Sequence, residues 1–338
     1  RALTAPRVNL LIADDVGLGK TIEAGLVAVE LLLRQRARRI MVICPAGLTV
    51  KWRQEMVEKF GREFTVVNSE QCAALRRTHG SAANPFRVYP LTIVSLPWLR
   101  SPRGQRLLDE VLPVEGPADT REFDLLILDE AHHVAPAAPK QRYAVDSQQT
   151  KLIRRLAPHF EHRLFLTATP HNGYPESFEA LLELVDNQRF ARGVPPDRRA
   201  QREVVIRRLK TEILEPDGSK RFRQRRTEPL PVQYPEDERQ GHALLTEFAA
   251  ARGNRLKTNR RGRRAADLVT LLFKKRLFSS PAAFGRTVAV YRENQLAGSA
   301  PSAGGDTEPA WMDDFLGDIA DLDDEDMANE EDDAVRRA

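Results

Sequence analysis

The residues of this chain best suited to chemistry are a lysine and a threonine beside two glycines near one end, and a pair of carboxylates about 110 positions later. The stretch Ala13-Asp14-Asp15-Val16-Gly17-Leu18-Gly19-Lys20-Thr21 follows an apolar run, Val8 to Ile12, and opens a periodic apolar segment. That order predicts a strand, a tight glycine loop and a helix. In such a turn the backbone N–H groups of the loop and of the first helical turn point into one concavity, where the helix dipole favours a polyphosphate. Lys20 adds a point charge for the β- and γ-phosphates, and the Thr21 hydroxyl can join a Mg2+ shell. Asp15, Val16, Gly17, Leu18, Gly19, Lys20 and Thr21 are therefore the candidate nucleotide-binding residues. The general phosphate-loop pattern places a glycine five residues before the Gly19-Lys20 pair, where this chain has Asp14. Gly17 and Gly19 alone would make only a turn; Lys20-Thr21 and the helix that follows make the loop a phosphate cradle.

Phe123 to Leu128 is the most apolar strand in the chain, and it delivers Asp129-Glu130-Ala131-His132 to its C-terminal end, where ligands bind in open α/β sheets. An acidic pair in isolation would cap a following helix. Facing a phosphate loop, the same pair suits nucleotide hydrolysis: Asp129 can hold Mg2+, directly or through water, while Glu130 orients or deprotonates the attacking water. Arg163 to Leu166 repeats the arrangement and delivers Thr167-Ala168-Thr169-Pro170, whose hydroxyls can sense the γ-phosphate side. His132 is placed to couple the nucleotide site to that segment. His132 and His133 bring no further ligand at metal-binding spacing, and Trp52 reads as a packing residue rather than a base-stacking one.

The elements that must position these groups alternate from residue 8 to about 187. A helix is expected over Ile22 to Arg34, with Ile22, Leu26, Val29 and Leu33 facing a sheet; then a strand over Ile40 to Cys44 and a helix over Leu48 to Phe60 that buries Trp52 and Met56. Short strands follow at Phe64 to Val67 and Leu91 to Val94. The fold class is α/β, a mainly parallel sheet covered by helices on both faces. From residue 188 to 297 the chain is basic and partly helical, with helices expected at 236–252 and 264–279. The densest basic stretch lies between those helices, from Arg252 to Arg264. Residues 298–338 read as a flexible or disordered acidic tail or linker.

The chain has 338 residues, 41% of them hydrophobic, which is enough for a sizeable core. Cys44 and Cys72 are the only cysteines, without the spacing of a disulfide framework or zinc site. No apolar run reaches the length of a membrane span and no signal peptide is evident, so a cytoplasmic setting without membrane contact is expected. The net charge of +4 hides an asymmetry: residues 306–333 hold fourteen acids and no Lys or Arg, while residues 1–305 carry 50 basic and 34 acidic side chains, a net of +16. Such a body attracts a polyanion.

The ordered series ADDVGLGKTIEAGL, CPAGLTVKWRQEM, TIVSLPWL, LLILDEAHH and RLFLTATPHNG resembles the first motor lobe of the SWI/SNF-type branch of the second helicase superfamily, a RecA-like P-loop lobe. VVIRRLKTEI and LLFKKRLFSSPAAF resemble, more weakly, the segments between that family's two lobes. Within the branch the likeness is to large bacterial members, RapA-like proteins associated with RNA polymerase and DISARM DrmD-like proteins of phage defence. The resemblance implies ATP as substrate, Mg2+ on Asp129 with Glu130 activating water, and Thr167, Ala168 and Thr169 coupling hydrolysis to movement along duplex DNA. It implies further that Pro45, Lys51 and Ser95 face the DNA backbone. Partners implied are duplex DNA, a second motor lobe in cis or in trans, and a defence-system subunit or RNA polymerase. The upstream glutamine segment and the arginine-bearing second lobe are not read in this chain, which looks like a fragment; weak ATP binding and slow hydrolysis are expected without that lobe. Two rival readings stay open: a non-catalytic DNA-binding or regulatory module that keeps the nucleotide fold, and a motor acting on RNA or a protein complex.

Overall fold

Continuous apolar runs along consecutive strands dictate a sheet buried on both faces, and the computed structural model has one. It describes residues 1–112, 122–135, 146–170, 175–223, 226–231, 233, 235–255 and 260–296. Among the described residues seven strands, β1 (Asn9–Ile12), β2 (Ile40–Cys44), β3 (Thr65–Val67), β4 (Leu91–Ser95), β5 (Phe123–Leu128), β6 (Phe160–Leu166) and β7 (Val205–Ile206), lie in the order β3-β4-β2-β5-β6-β1-β7. Every pairing is parallel, for example Leu11 with Phe165 and Val42 with Ile127. All strands therefore end at one edge, and the loops that leave them share it.

The strand register separates two cores. Leu10, Ile12, Ile40, Val42, Leu125, Ile127, Leu164 and Leu166 pack against α1 (Lys20–Leu33) and α2 (Thr49–Phe60). On the other face Leu11, Met41, Ile43, Leu126, Leu128 and Phe165 meet the remaining helices of this part. These are α3 (Ser69–His79), α4 (Pro85–Val88), α5 (Leu96–Arg100), α6 (Pro102–Asp109), α7 (Gln148–Leu156), α8 (Pro175–Val185) and α9 (Arg198–Val204); α5 to α8 supply Leu99, Leu108, Ile153 and Leu181 to this core. Asn68, Asn84, Ser95, Ser101, Ser147 and Asp197 cap helices α3, α4, α5, α6, α7 and α9 through their side-chain oxygens, each satisfying an orphan N–H of a first turn.

Helix α1 rests on the sheet by a different face from the one its large residues suggest. Ala24, Gly25, Ala28 and Leu31 are buried, while Leu26 and Leu33 are exposed. The helix is apolar nearly all round, so periodicity does not single out a face, and the small residues allow the closest approach. At Gly25 an added Cβ would lie 2.2 Å from Cε2 of Phe60, the last residue of α2. Trp52 and Met56 are buried as the spacing of α2 predicts.

The chain divides into two units, Arg1–Gln224 and Arg225–Ala338. The first runs past residue 187, where the change in composition had suggested its end, because β7 adds to the free side of β1 through Leu11–Val205 and Ile12–Ile206. In the second unit the described residues form α10 (Glu236–Arg255), α11 (Arg260–Ser279) and α12 (Pro281–Leu296). Leu245, Val269, Phe273 and Leu277 make its core with Phe284, Val288 and Tyr291; the rings of Phe273 and Tyr291 meet edge-on at 5.4 Å. The helix α12 was not expected from its composition, although Pro281 is well suited to a first helical position. The loop over 113–121, the segment His171-Asn172-Gly173 and the acidic tail 298–338 lie outside the described residues, as do the side chains of the basic stretch between Arg252 and Arg264. No helix among the described residues is long and apolar enough to cross a membrane.

Candidate nucleotide site at the strand ends

Strand β1 stops at Ile12 and the loop that follows turns on Gly17 (φ 80°) and Gly19 (φ 89°), both in the left-handed region that glycine enters without steric cost. Helix α1 begins at Lys20 with Gly19 as its N-cap, so the loop's N–H groups and the helix terminus converge as the sequence implies. The Lys20 ammonium donates to the carbonyl of Asp14 at 2.9 Å and lies 3.4 Å from that of Asp15. Thr21, on the first turn, has no side-chain hydrogen-bond partner among the described residues, which leaves its hydroxyl available.

Asp129 and Glu130 leave β5 two strands away, with β6 between. The Asp129 N–H is tied to the Ile43 carbonyl of β2 (2.8 Å). Its carboxylate is fixed from two sides: Trp52 Nε1 donates to Oδ2 at 2.8 Å and the Glu130 N–H to Oδ1 at 2.9 Å. Burial nevertheless pushes the Asp129 carboxyl above the ordinary range, against the pull of the Trp52 hydrogen bond. Glu130 moves the other way: the hydrogen bond from His132 outweighs its partial burial and holds it below the usual value. The charge of Lys20 acts on both carboxylates in the same direction, downward. Their surroundings thus shift two neighbouring acids in opposite directions.

Glu130 has φ 47°, a left-handed backbone that a glutamate adopts at a cost and that is common where function holds a residue in place. The turn aims its side chain at His132, whose Nδ1 lies 3.2 Å from Glu130 Oε2 and 3.1 Å from Thr167 Oγ1. Thr167 is fully buried, its N–H bonded to the Ile12 carbonyl (3.0 Å) at the start of the phosphate loop, and its hydroxyl accepts the Thr169 N–H at 3.1 Å. A continuous chain of contacts therefore runs from Glu130 through His132 to Thr167 and Thr169, with the half-exposed Ala168 between the threonines.

The residues present fit a Mg2+ ion that bridges to phosphates. That ion is normally held by one or two carboxylates or hydroxyls with substrate oxygens and water completing the octahedron, and each Asp129 oxygen keeps a lone pair after its single hydrogen bond. Among the described residues no group of three or more His, Cys, Asp or Glu gathers as an all-protein metal cage. Both cysteines are free and buried.

Pro45, Lys51 and Ser95 also emerge on this edge of the sheet or just beyond it. Pro45 begins a short 3-10 turn, Ala46–Leu48, that leads into α2; Lys51 is exposed in the first turn of α2. The Ser95 hydroxyl caps α5 by accepting the Trp98 N–H at 3.3 Å.

Sequence reasoning missed two residues of this site. Trp52 was assigned to packing, and it is packed, but its indole N–H also reaches Asp129; nothing in the spacing of α2 distinguishes the two roles. Arg208 was passed over because it lies 194 positions from Asp14, yet its half-exposed guanidinium pairs with the buried Asp14 carboxylate at the base of the phosphate loop. The only signal was the charged doublet in VVIRRLKTEI.

A family model for the SNF2-related domain matches residues 3–216. The RNA polymerase-associated protein RapA of Vibrio cholerae, in strains M66-2 and El Tor Inaba N16961, is 39% identical over 188 residues, covering 55% of this chain and 17% of the relative. The chain thus spans only a small part of the curated relatives it matches. Among solved structures, a Sulfolobus solfataricus SWI2/SNF2 ATPase core in complex with dsDNA aligns at TM-score 0.42 and 17% identity, over 86% of this chain and 60% of that one. A Pyrococcus furiosus Hef helicase domain aligns at TM-score 0.41 and 19% identity, over 77% and 46%.

Proposed function

This chain belongs to the SNF2-related domain family, and from that premise we propose that it is the ATP-binding lobe of an ATP-dependent double-stranded DNA translocase. The observation that carries the reading is the convergence of Lys20 with Asp129 and Glu130 at one sheet edge, close enough for the lysine charge to act on both acids. The loop N–H groups from Gly17 to Thr21 and the Lys20 ammonium bind the phosphate chain and orient it. Asp129 and the Thr21 hydroxyl would hold Mg2+, which neutralises charge developing on the phosphate oxygens when bound. Glu130, kept ionised by His132, orients the attacking water and accepts its proton. His132 and Thr167 pass the state of Glu130 to the Thr167–Thr169 turn.

Turnover then depends on an arginine supplied from a second motor lobe, in cis or in trans, because such a charge is worth about 10³ to 10⁵ in rate in related phosphoryl transfer. The basic body, together with Pro45, Lys51 and Ser95, is assigned to the DNA backbone. The likeness to RapA supports RNA polymerase as the partner to test before a phage-defence subunit.

Steady-state ATP turnover with and without duplex DNA tests the reading, in this chain and in a chain joined to a second lobe. Lys20→Ala should abolish nucleotide binding. Glu130→Gln should keep binding and lower turnover by about 10² to 10⁴-fold. Turnover that duplex DNA leaves unchanged even with a second lobe would sink the translocase assignment, and stimulation by RNA alone would favour an RNA motor.

A further inference from the structure

The general phosphate loop has glycine where this chain has Asp14, and that aspartate is wholly buried. A carboxylate in such a place is costly unless it is paired. Its partner comes from beyond β7. The Arg208 N–H donates to Asp14 Oδ1 at 2.8 Å and Arg208 Nε to Asp14 Oδ2 at 2.8 Å, while its outer nitrogen also reaches Asp14 and Glu23 in the first turn of α1. The planar fork of arginine makes this arrangement; a lysine cannot. Around the ion pair the backbone continues the sheet past its last strand. Ala13 N–H donates to the Ile206 carbonyl (2.7 Å) and Asp15 N–H to that of Arg208 (3.1 Å), and the Asp15 carboxylate accepts the Lys210 N–H at 2.8 Å. One side chain thus joins the entry of the phosphate loop, the first turn of its helix, and the stretch Ile206–Lys210.

The loop atoms held in this way are those that Lys20 uses. Its ammonium rests on the Asp14 carbonyl, and Asp14 cannot move without breaking its contacts to Arg208. We propose that Arg208 is the positioning residue of the phosphate loop: by clamping Asp14 and Glu23 it fixes the loop and Lys20 for a nucleoside polyphosphate, and it ties loop occupancy to the Ile206–Lys210 segment. The proposal rests on the nucleotide-binding reading above and replaces the conformational role of the missing glycine with an ion pair supplied from far along the chain.

The test uses the full chain and three measurements: thermal midpoint, affinity for a fluorescent ATP analogue with Mg2+, and hydrogen exchange of peptides covering residues 13–20, 123–128 and 205–212. Arg208→Lys, which keeps the charge and loses the fork, is expected to bind the analogue about tenfold more weakly. Exchange should quicken at 13–20 and 205–212 and stay unchanged in the β5 peptide. Glu23→Gln, which leaves the Asp14 pair intact, should weaken binding by about two- to threefold without loss of fold. In the unaltered chain the analogue should slow exchange at 205–212, and this slowing should vanish in Arg208→Lys.

Variants that remain folded and match the unaltered chain in both affinity and loop exchange would overturn the proposal. So would an Arg208→Lys chain whose exchange quickens equally in all three peptides, since that is global loosening. If the unaltered chain shows no Lys20-dependent binding, the nucleotide reading itself fails; loop exchange without nucleotide then decides the clamp, and unchanged exchange at 13–20 in Arg208→Lys overturns it.

Discussion

Trp52 and Asp129 show how one hydrogen bond acts on the carboxylate proposed to hold Mg2+. Burial raises the proton affinity of Asp129 while the indole N–H lowers it, so removing the indole donor raises it further. Trp52→Phe keeps an aromatic ring in the core and deletes only the 2.8 Å contact to Oδ2. A hydrogen bond to a charged group is worth about 1.5–3 kcal/mol. Loss of the donor leaves Asp129 less firmly oriented and easier to protonate, so the Mg2+ concentration giving half-maximal nucleotide binding is expected to rise, most of all at acid pH. The sign of the pH dependence follows from the two shifts. Asp129, with its raised value, takes up a proton at higher pH than an ordinary aspartate, while Glu130, with its lowered value, stays ionised to more acid solution than an ordinary glutamate. On the proposed role of Asp129, Mg2+ binding should fail at higher pH than an ordinary aspartate would dictate, and in Trp52→Phe the failure should begin at higher pH still. Mg2+ titrations of analogue binding across a pH series would show this, and coincident curves for the two proteins would refute it. The loop and the acidic pair could be read from the chain because each is a short run of fixed types. The indole contact could not, since a buried Trp on an amphipathic helix looks the same whether or not its N–H meets an acid.

At the scale of elements, the strands were legible where continuous apolar runs are ended by Pro45, Asp129 or Thr167, and β2 and β5 fall where their composition puts them. Two features were not. Strand β7 is two residues long, too short for any period, and its identity depends on pairing with Leu11 and Ile12. The buried face of α1 is set by small residues, Ala24, Gly25 and Ala28, rather than by Leu26 and Leu33, because close approach to the sheet and to α2 outweighs side-chain size. Gly25 gives that explanation a sharp consequence. In an open helix Gly→Ala would stabilise by about 1 kcal/mol. Here the new methyl would meet three ring atoms of Phe60 within 3 Å, and overpacking of this kind costs about 1–3 kcal/mol. Gly25→Ala is expected to lower stability on denaturant titration, whereas in a Phe60→Leu background the same change should be neutral or stabilising. Loss of equal size in both backgrounds would mean that α1 and α2 do not meet at this point.

For the whole molecule the governing quantity is the separation of charge along the chain. Residues 1–305 carry a net +16 and residues 306–333 fourteen acids. The overall value of +4 therefore describes neither part, and it understates the attraction of the basic part for a phosphate backbone. Each phosphate neutralised by a Lys or Arg contributes about 0.9 to the slope of log affinity against log salt for duplex DNA. An acidic segment on the same chain subtracts from that field, and does so most where screening is weak, since the Debye length is about 30 Å at 0.01 M salt and about 10 Å at 0.1 M. Deleting residues 306–338 is accordingly expected to tighten duplex DNA binding at low salt and to steepen the salt slope by about 1 or more, with the two curves converging as salt rises. Fluorescence anisotropy of a labelled duplex over a salt series reads both quantities. Curves that overlay at every salt concentration would show that the acids do not oppose DNA, and curves displaced by the same factor throughout would show a tail that acts through something other than its charge.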